Sequence, residues 1–219
     1  MAGSKKISKA NLKKIFIVII ALMLIGGLVL SATFGFIDYL IGRKNMTSPG
    51  EDEYISSLKE WANYLEESVR ENPDLLESKA ELGLTYYEIA MYYYWDLDRE
   101  NVLLYSEKGS DFLLDALDGG LAESWIALKA AVLFLMQEDE PRAERYFRNA
   151  LELDEENAEA HLYLGNILSS RHLDDQARIH WERVLELVEE DSPEAQAARY
   201  YLDAYEIGDI SGERGEDKP

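Results

Sequence analysis

A spacing of 34 residues organises the C-terminal half of the chain. Shifted by that interval, Ala131 and Phe134 fall on Gly165 and Leu168, and Ala143, Phe147, Ala150 and Leu151 fall on Ala177, Trp181, Val184 and Leu185. One interval earlier, Gly109, Leu113, Ala116 and Leu117 fall on Ala143, Phe147, Ala150 and Leu151. A small side chain thus recurs where two helices must come close, and a large one recurs four residues later, on the same helix face. A unit of this length holds one helical hairpin. Such a hairpin cannot bury its apolar face alone, so neighbours have to stack. Five prolines and fourteen glycines in 219 residues leave little punctuation for a β-rich fold.

The periodicity predicts helices at about 51–71, 74–95, 99–117, 123–137, 141–153, 157–170, 174–190 and 193–206. In the first, Tyr54, Leu58, Trp61, Leu65 and Val69 are spaced to make one apolar face. Between Asn149 and Asn166 the chain reads as a corner: Asp154-Glu155-Glu156-Asn157 supplies capping oxygens and negative charge to the next helix N-terminus. The first unit is longer than the rest. From Tyr86 to Gly109 is 23 residues, where the matching step from Phe134 to Ala143 is nine. The extra residues predict one hairpin that projects beyond its neighbours. They include Tyr92, Tyr93, Tyr94 and Trp95, four consecutive aromatics that span the circumference of a helix. At least two of the four are expected to face solvent as a contact patch.

Leu164-Gly165, Ala177, Trp181 and Leu185, with Ala143, Phe147 and Ala150-Leu151, resemble the tetratricopeptide repeat family. Glu71-Asn72-Pro73 followed by Leu82-Gly83 and Tyr86 begins an earlier unit. Ala130-Ala131 replaces the usual Leu-Gly pair in one unit, and Glu155 stands where proline is common. The resemblance covers about residues 51–206 and implies an all-α solenoid of about three repeats plus flanking helices. It also implies a concave groove lined by each unit's first helix. The groove residues would be Trp125, Leu128, Val132 and Leu135 in one unit and Leu162, Asn166 and Ser169 in the next. This mix suits a short peptide or helix with an apolar anchor. The basic groove residues of the family's carboxylate-clamp members are missing, so an acidic C-terminal tail is a disfavoured ligand.

Ahead of the repeats, Ile15 to Ile37 carries no charge over 23 residues, long enough to cross a bilayer core of about 30 Å. Lys5, Lys6, Lys9, Lys13 and Lys14 precede it, and only Arg43 and Lys44 follow closely. This asymmetry predicts a single-pass signal-anchor with its N-terminus in the cytoplasm and the domain outside it. Cleavage near Ser31 or Gly35 is the alternative. The expected organisation is a basic tail (1–14), a transmembrane helix (15–41), a linker (42–50), the helical domain (51–206) and a disordered acidic tail (207–219). Gly27, Ser31 and Gly35 recur every four residues and would give the span a helix-packing face. Asn45-Met46-Thr47 is a glycosylation acceptor pattern.

Net charge is −21, and residues 42–219 hold 42 acids against 17 bases, a net of −25. Nucleic acid and anionic headgroups are therefore poor partners. With no cysteine, disulfides and thiolate chemistry are excluded. His161, His172 and His180 fall on separate elements with no spacing that joins them, so neither a metal nor a cofactor is expected. No phosphate loop or nucleophile elbow occurs. The reading is a non-enzymatic interaction scaffold with a protein partner. By resemblance of architecture it would help assemble an envelope, export or cytochrome-maturation complex. The alternative is a structural accessory subunit of a membrane complex, held mainly through its span.

Overall fold

The computed structural model describes residues 49–211, with side chains from 53 to 205. These residues form eight helices: α1 (Pro49–Glu71), α2 (Leu76–Trp95), α3 (Arg99–Asp118), α4 (Ser124–Met136), α5 (Glu140–Leu153), α6 (Ala158–Ser170), α7 (Asp174–Leu187) and α8 (Pro193–Ser211). Each sequence-predicted helix is present. α1 starts inside the expected linker, where Pro49 fits a first turn that needs no N–H there. α7 ends at Leu187, and α8 runs to Ser211, past the boundary expected at 206. The 15–41 segment, Gly27, Ser31, Gly35, Asn45 and the tail beyond 211 lie outside the described residues. Within them, no helix is long and apolar enough to cross a membrane.

The helices pair as successive antiparallel hairpins, α2 with α3, α4 with α5, and α6 with α7, and each hairpin stacks on the next. The recurring small residues sit where the pairs cross. A Cβ on Gly83 would lie 3.0 Å from the carbonyl oxygen of Gly109, and one on Gly109 would lie 3.1 Å from that of Gly83. The α2 and α3 backbones touch there. Ala143 and Ala177 are fully buried at the matching positions of the other two hairpins. Gly165 faces the indole of Trp181, whose Nε1 would be 2.5 Å from an added Cβ. Large residues fill the spaces within and between units: Phe134 stacks on Tyr146 inside the α4–α5 hairpin with ring centroids 5.4 Å apart, and Phe147 of α5 stacks on Tyr163 of the next unit at 4.9 Å.

The polar corners close as their composition implies. Asn157 accepts from the Ala160 N–H at 2.9 Å, and its amide donates to Ser124 Oγ, which in turn donates to the Ala150 carbonyl. Asp98 and Asp139 cap α3 and α5 in the same way. The three turns inside hairpins share one backbone form. Leu97, Glu138 and His172 each adopt φ near 60°. In each, the following residue's N–H returns to a carbonyl five residues back, at Tyr93, Phe134 and Leu168. This is a left-handed helix stop that glycine or asparagine fills most easily.

α1 packs antiparallel on α2 through the short turn at 72–75. Lys59 donates to the Tyr93 hydroxyl at 2.7 Å, and Tyr86 bonds Glu66. The start of α1 is therefore level with the α2–α3 turn. The buried face of α1 is Ile55, Ala62 and Leu65, with Leu58 and Val69 partly covered. Tyr54 and Trp61, expected on that face, are exposed instead. Ile55 and Ala62, one position on from each, take their places, while Leu58, Leu65 and Val69 keep the expected face.

Candidate functional site

α2, α4, α6 and α8 form one layer, the side that the family resemblance makes concave. Along α4, Trp125, Leu128, Val132 and Leu135 lie on one face, as expected from a three-then-four spacing. Their environments differ. Trp125 is 38% exposed at one end and Leu135 is half-buried at the other. Leu128, Val132 and the α6 residue Leu162 are buried in the core. The expectation that these three present a ligand surface is corrected: they pack into the core and form the floor of the stripe.

Polar groups bridge the layer above that floor. Lys129 on α4 meets Glu159 on α6 at 3.3 Å, with both side chains largely buried. The same ammonium lies 5.1 Å from the centre of the Tyr87 ring on α2. Burial raises the Glu159 carboxyl above its ordinary range; Lys129 opposes the shift and Glu194 on α8 adds to it. Burial also pushes the Tyr87 hydroxyl and the Glu88 carboxyl upward. A basic side chain thus does stand in this layer, contrary to the sequence reading. Its charge is engaged by Glu159, so it offers no open clamp for an acidic tail.

Asn166 and Ser169 are similarly committed. Asn166 Oδ1 accepts from Trp181 Nε1 at 3.0 Å, and its Nδ2 donates to the Tyr201 hydroxyl at 3.2 Å. Trp181 and Tyr201 stack at 5.1 Å, which ties α6, α7 and α8 together. Ser169 donates to Asp174 at 3.2 Å.

The projecting hairpin is present: α2 and α3 have 20 residues each, against 13 and 14 in the next two hairpins. The expectation of exposed aromatics on it is corrected. Tyr92, Tyr93, Tyr94 and Trp95 are all half-buried. Tyr93 stacks on Tyr105 of α3 at 5.7 Å and takes a hydrogen bond from Lys59 on α1. Equal lengthening of α3 provides the cover. The most exposed apolar residue there is Leu97, 89% exposed at the tip.

The sequence reading also missed a pair of histidines. His161 Nδ1 and His180 Nδ1 are 2.8 Å apart, across α6 and α7. His161 Nε2 is 3.1 Å from the Glu155 carbonyl, which can only accept. His161 Nε2 therefore carries the proton, its Nδ1 accepts, and His180 Nδ1–H donates. Burial lowers both rings, and His180 is pushed down to about 4, with His161 and Arg148 adding to the effect. Among the described residues no group of three or more potential ligands surrounds a metal position.

No family model matches the chain, and no curated protein sequence matches it. Solved structures do. The crystal structure of YrrB, a tetratricopeptide repeat protein with an unusual peptide-binding site, superposes with a TM-score of 0.52 at 17% identity, over 75% of this chain and 81% of YrrB. The crystal structure of MamA superposes with a TM-score of 0.51 at 13% identity, over 78% of this chain and all of MamA. At these identities the likeness establishes a tetratricopeptide-like fold.

Proposed function

We infer that this chain is a membrane-anchored interaction scaffold whose α4–α6 face receives a short peptide or helix. The observation that carries the reading is the α4 stripe: Trp125 and Leu135 stay accessible at its two ends over a buried floor of Leu128, Val132 and Leu162. Large apolar side chains kept partly in water next to a rigid floor are suited to clamp an apolar anchor. The peptide-binding site of YrrB, on a similar fold, supports the same use. Glu159 holds the one cation of this network. With a net of −25 over residues 42–219, the complementary partner carries basic residues around its anchor.

Residues 15–41 supply the anchor in this proposal, with the domain on the extracytoplasmic side, where it would help assemble an envelope, export or cytochrome-maturation complex. A photo-crosslinker at position 125 or 135 is expected to trap a protein that one at Ile179, exposed on α7, does not. Equal trapping at 179 overturns the groove. Trapping only at Ser31 favours the alternative, an accessory subunit held through its span. A reporter fused after Pro219 is expected to be active only outside the cytoplasm.

A further inference from the structure

We propose that the tip of the α2–α3 hairpin, led by Leu97, rests in the headgroup layer of the membrane that holds the chain. This rests on the anchoring reading above.

Three observations converge on the tip. The first is residue choice. The three hairpin turns share one left-handed backbone form, and two of them carry polar residues, Glu138 and His172. The third carries a leucine, the most exposed large apolar side chain among the described residues at 89%. A β-carbon is disfavoured at that φ and an exposed isobutyl group buries nothing, so neither helix stop nor core explains Leu97.

The second is reach. α2 continues twelve residues past Gly83, where α6 continues five past Gly165. α3 starts ten residues before Gly109, where α5 starts three before Ala143. All the added length therefore lies at the tip, which stands about 10 Å beyond the neighbouring turns. The lengthened segment is stiffened by the Tyr93–Tyr105 stack and by Lys59, and is not a loose loop.

The third is where the chain enters. α1 runs antiparallel to α2, so Pro49 is level with the tip. Eight Cα–Cα steps lead from Ile41 to Pro49, a reach of at most about 29 Å. With residues 15–41 in the bilayer, the end of the domain carrying Leu97 is the end held at its surface. Trp95 and Tyr94, half-buried beside the tip, are amphipathic rings of the kind that settle at headgroup depth. A single leucine binds a bilayer weakly by itself. Tethering makes the contact intramolecular, so its effect is to orient the domain. Asp96 and Asp98 flank the leucine, so the favoured surface is zwitterionic, and anionic lipid should loosen the contact.

The absence of cysteine makes the test direct. Full-length Leu97→Cys, Glu138→Cys, His172→Cys and Ser31→Cys variants, each carrying an environment-sensitive dye, are reconstituted in phosphatidylcholine vesicles containing spin-labelled lipid. The expected result is several-fold stronger quenching at 97 than at 138 or 172, falling when phosphatidylglycerol is added, with deep quenching at 31. Quenching at 31 with none in excess at 97 overturns the tip contact alone. No quenching at 31 overturns the anchoring reading and the tip contact with it. A dye at 97 that is shielded only at high protein-to-lipid ratio, without lipid quenching, identifies a second copy as the occupant and also overturns the proposal.

Discussion

The α2–α3 hairpin and the two hairpins after it are alike at the base and unlike at the tip. At the base, a pair of small residues sets how closely the helices approach: Gly83 with Gly109, Ala131 with Ala143, and Gly165 with Ala177. Leu113, Phe147 and Trp181 follow four residues later and fill the same space in each unit. Beyond the crossing, the short hairpins end after one more turn. The long one adds a second contact layer of its own, made of Tyr93, Tyr105, Val102 and α1. Repetition fixes the part that stacking requires, and departures collect where no neighbour constrains the chain.

The largest effect should come from emptying the base. Leu113 is fully buried against Gly83, so Leu113→Ala is expected to cost about 2–5 kcal/mol in chemical denaturation. Exposed Leu104 on the same helix should change stability by less than about 0.5 kcal/mol when cut to alanine. Equal losses would erase the distinction between the stacked and unstacked sides of α3. Next, Ala143→Leu and Ala177→Leu overfill the crossings and should each cost about 1–3 kcal/mol. A melting temperature unchanged by both would break the 34-residue register.

The long hairpin's own layer is tested by Tyr93→Ser, which removes a ring stack and a hydrogen bond together. A loss of about 1–2 kcal/mol is expected, smaller than at the base because the ring is only half-buried. No loss would return the aromatics to the role of a free contact patch.

The histidine pair belongs to a short hairpin and gives it a pH dependence of imidazole origin, where the long hairpin contains no histidine. His180 is held near 4 in the folded chain and titrates near 6.5 when unfolded, so the unfolded state binds more protons between those values. Its stabilising contribution is complete above pH 6.5 and fades as pH falls toward 4. His161 shifts in the same direction, and Arg148 and Arg183 face the pair. With the rings part-exposed, the effect is about 1 kcal/mol or less. Thermal melts of the parent and of His180→Gln should converge over this interval; a constant gap would mean that the pair does not titrate with folding.

The smallest effect has the opposite sign. Leu97→Asn relieves a disfavoured backbone form and removes exposed apolar surface. It should raise stability by about 0.5 kcal/mol. A loss would show that Leu97 contributes to the fold.

Helix identity, hairpin pairing and the longer first unit were legible because they follow from intervals along the chain. The His161–His180 contact was legible in principle. Helices crossing at Gly165 and Ala177 bring together the residue four before one and three after the other. The unread part is orientation within a face. α1 buries Ile55 and Ala62 in place of Tyr54 and Trp61. On α4, periodicity placed Leu128 and Val132 on the correct face and could not tell a groove from a floor. The aromatics at 92–95 offered enough ring surface to cover a helix, and the pattern held no record of α1 and α3 closing over them.

The sequence by itself therefore determined which segments are helices, which small residues mark their crossings, and where one hairpin outgrows the others. Those depend on spacing along one chain, which a repeat displays openly. Only the tertiary structure decided which apolar residues remain in water, that Lys129 is held by Glu159, and that Leu97 stays exposed while the neighbouring tyrosines are half covered. Exposure depends on how far apart neighbouring helices stand and how each is rotated, and side-chain volumes on several helices set those distances together.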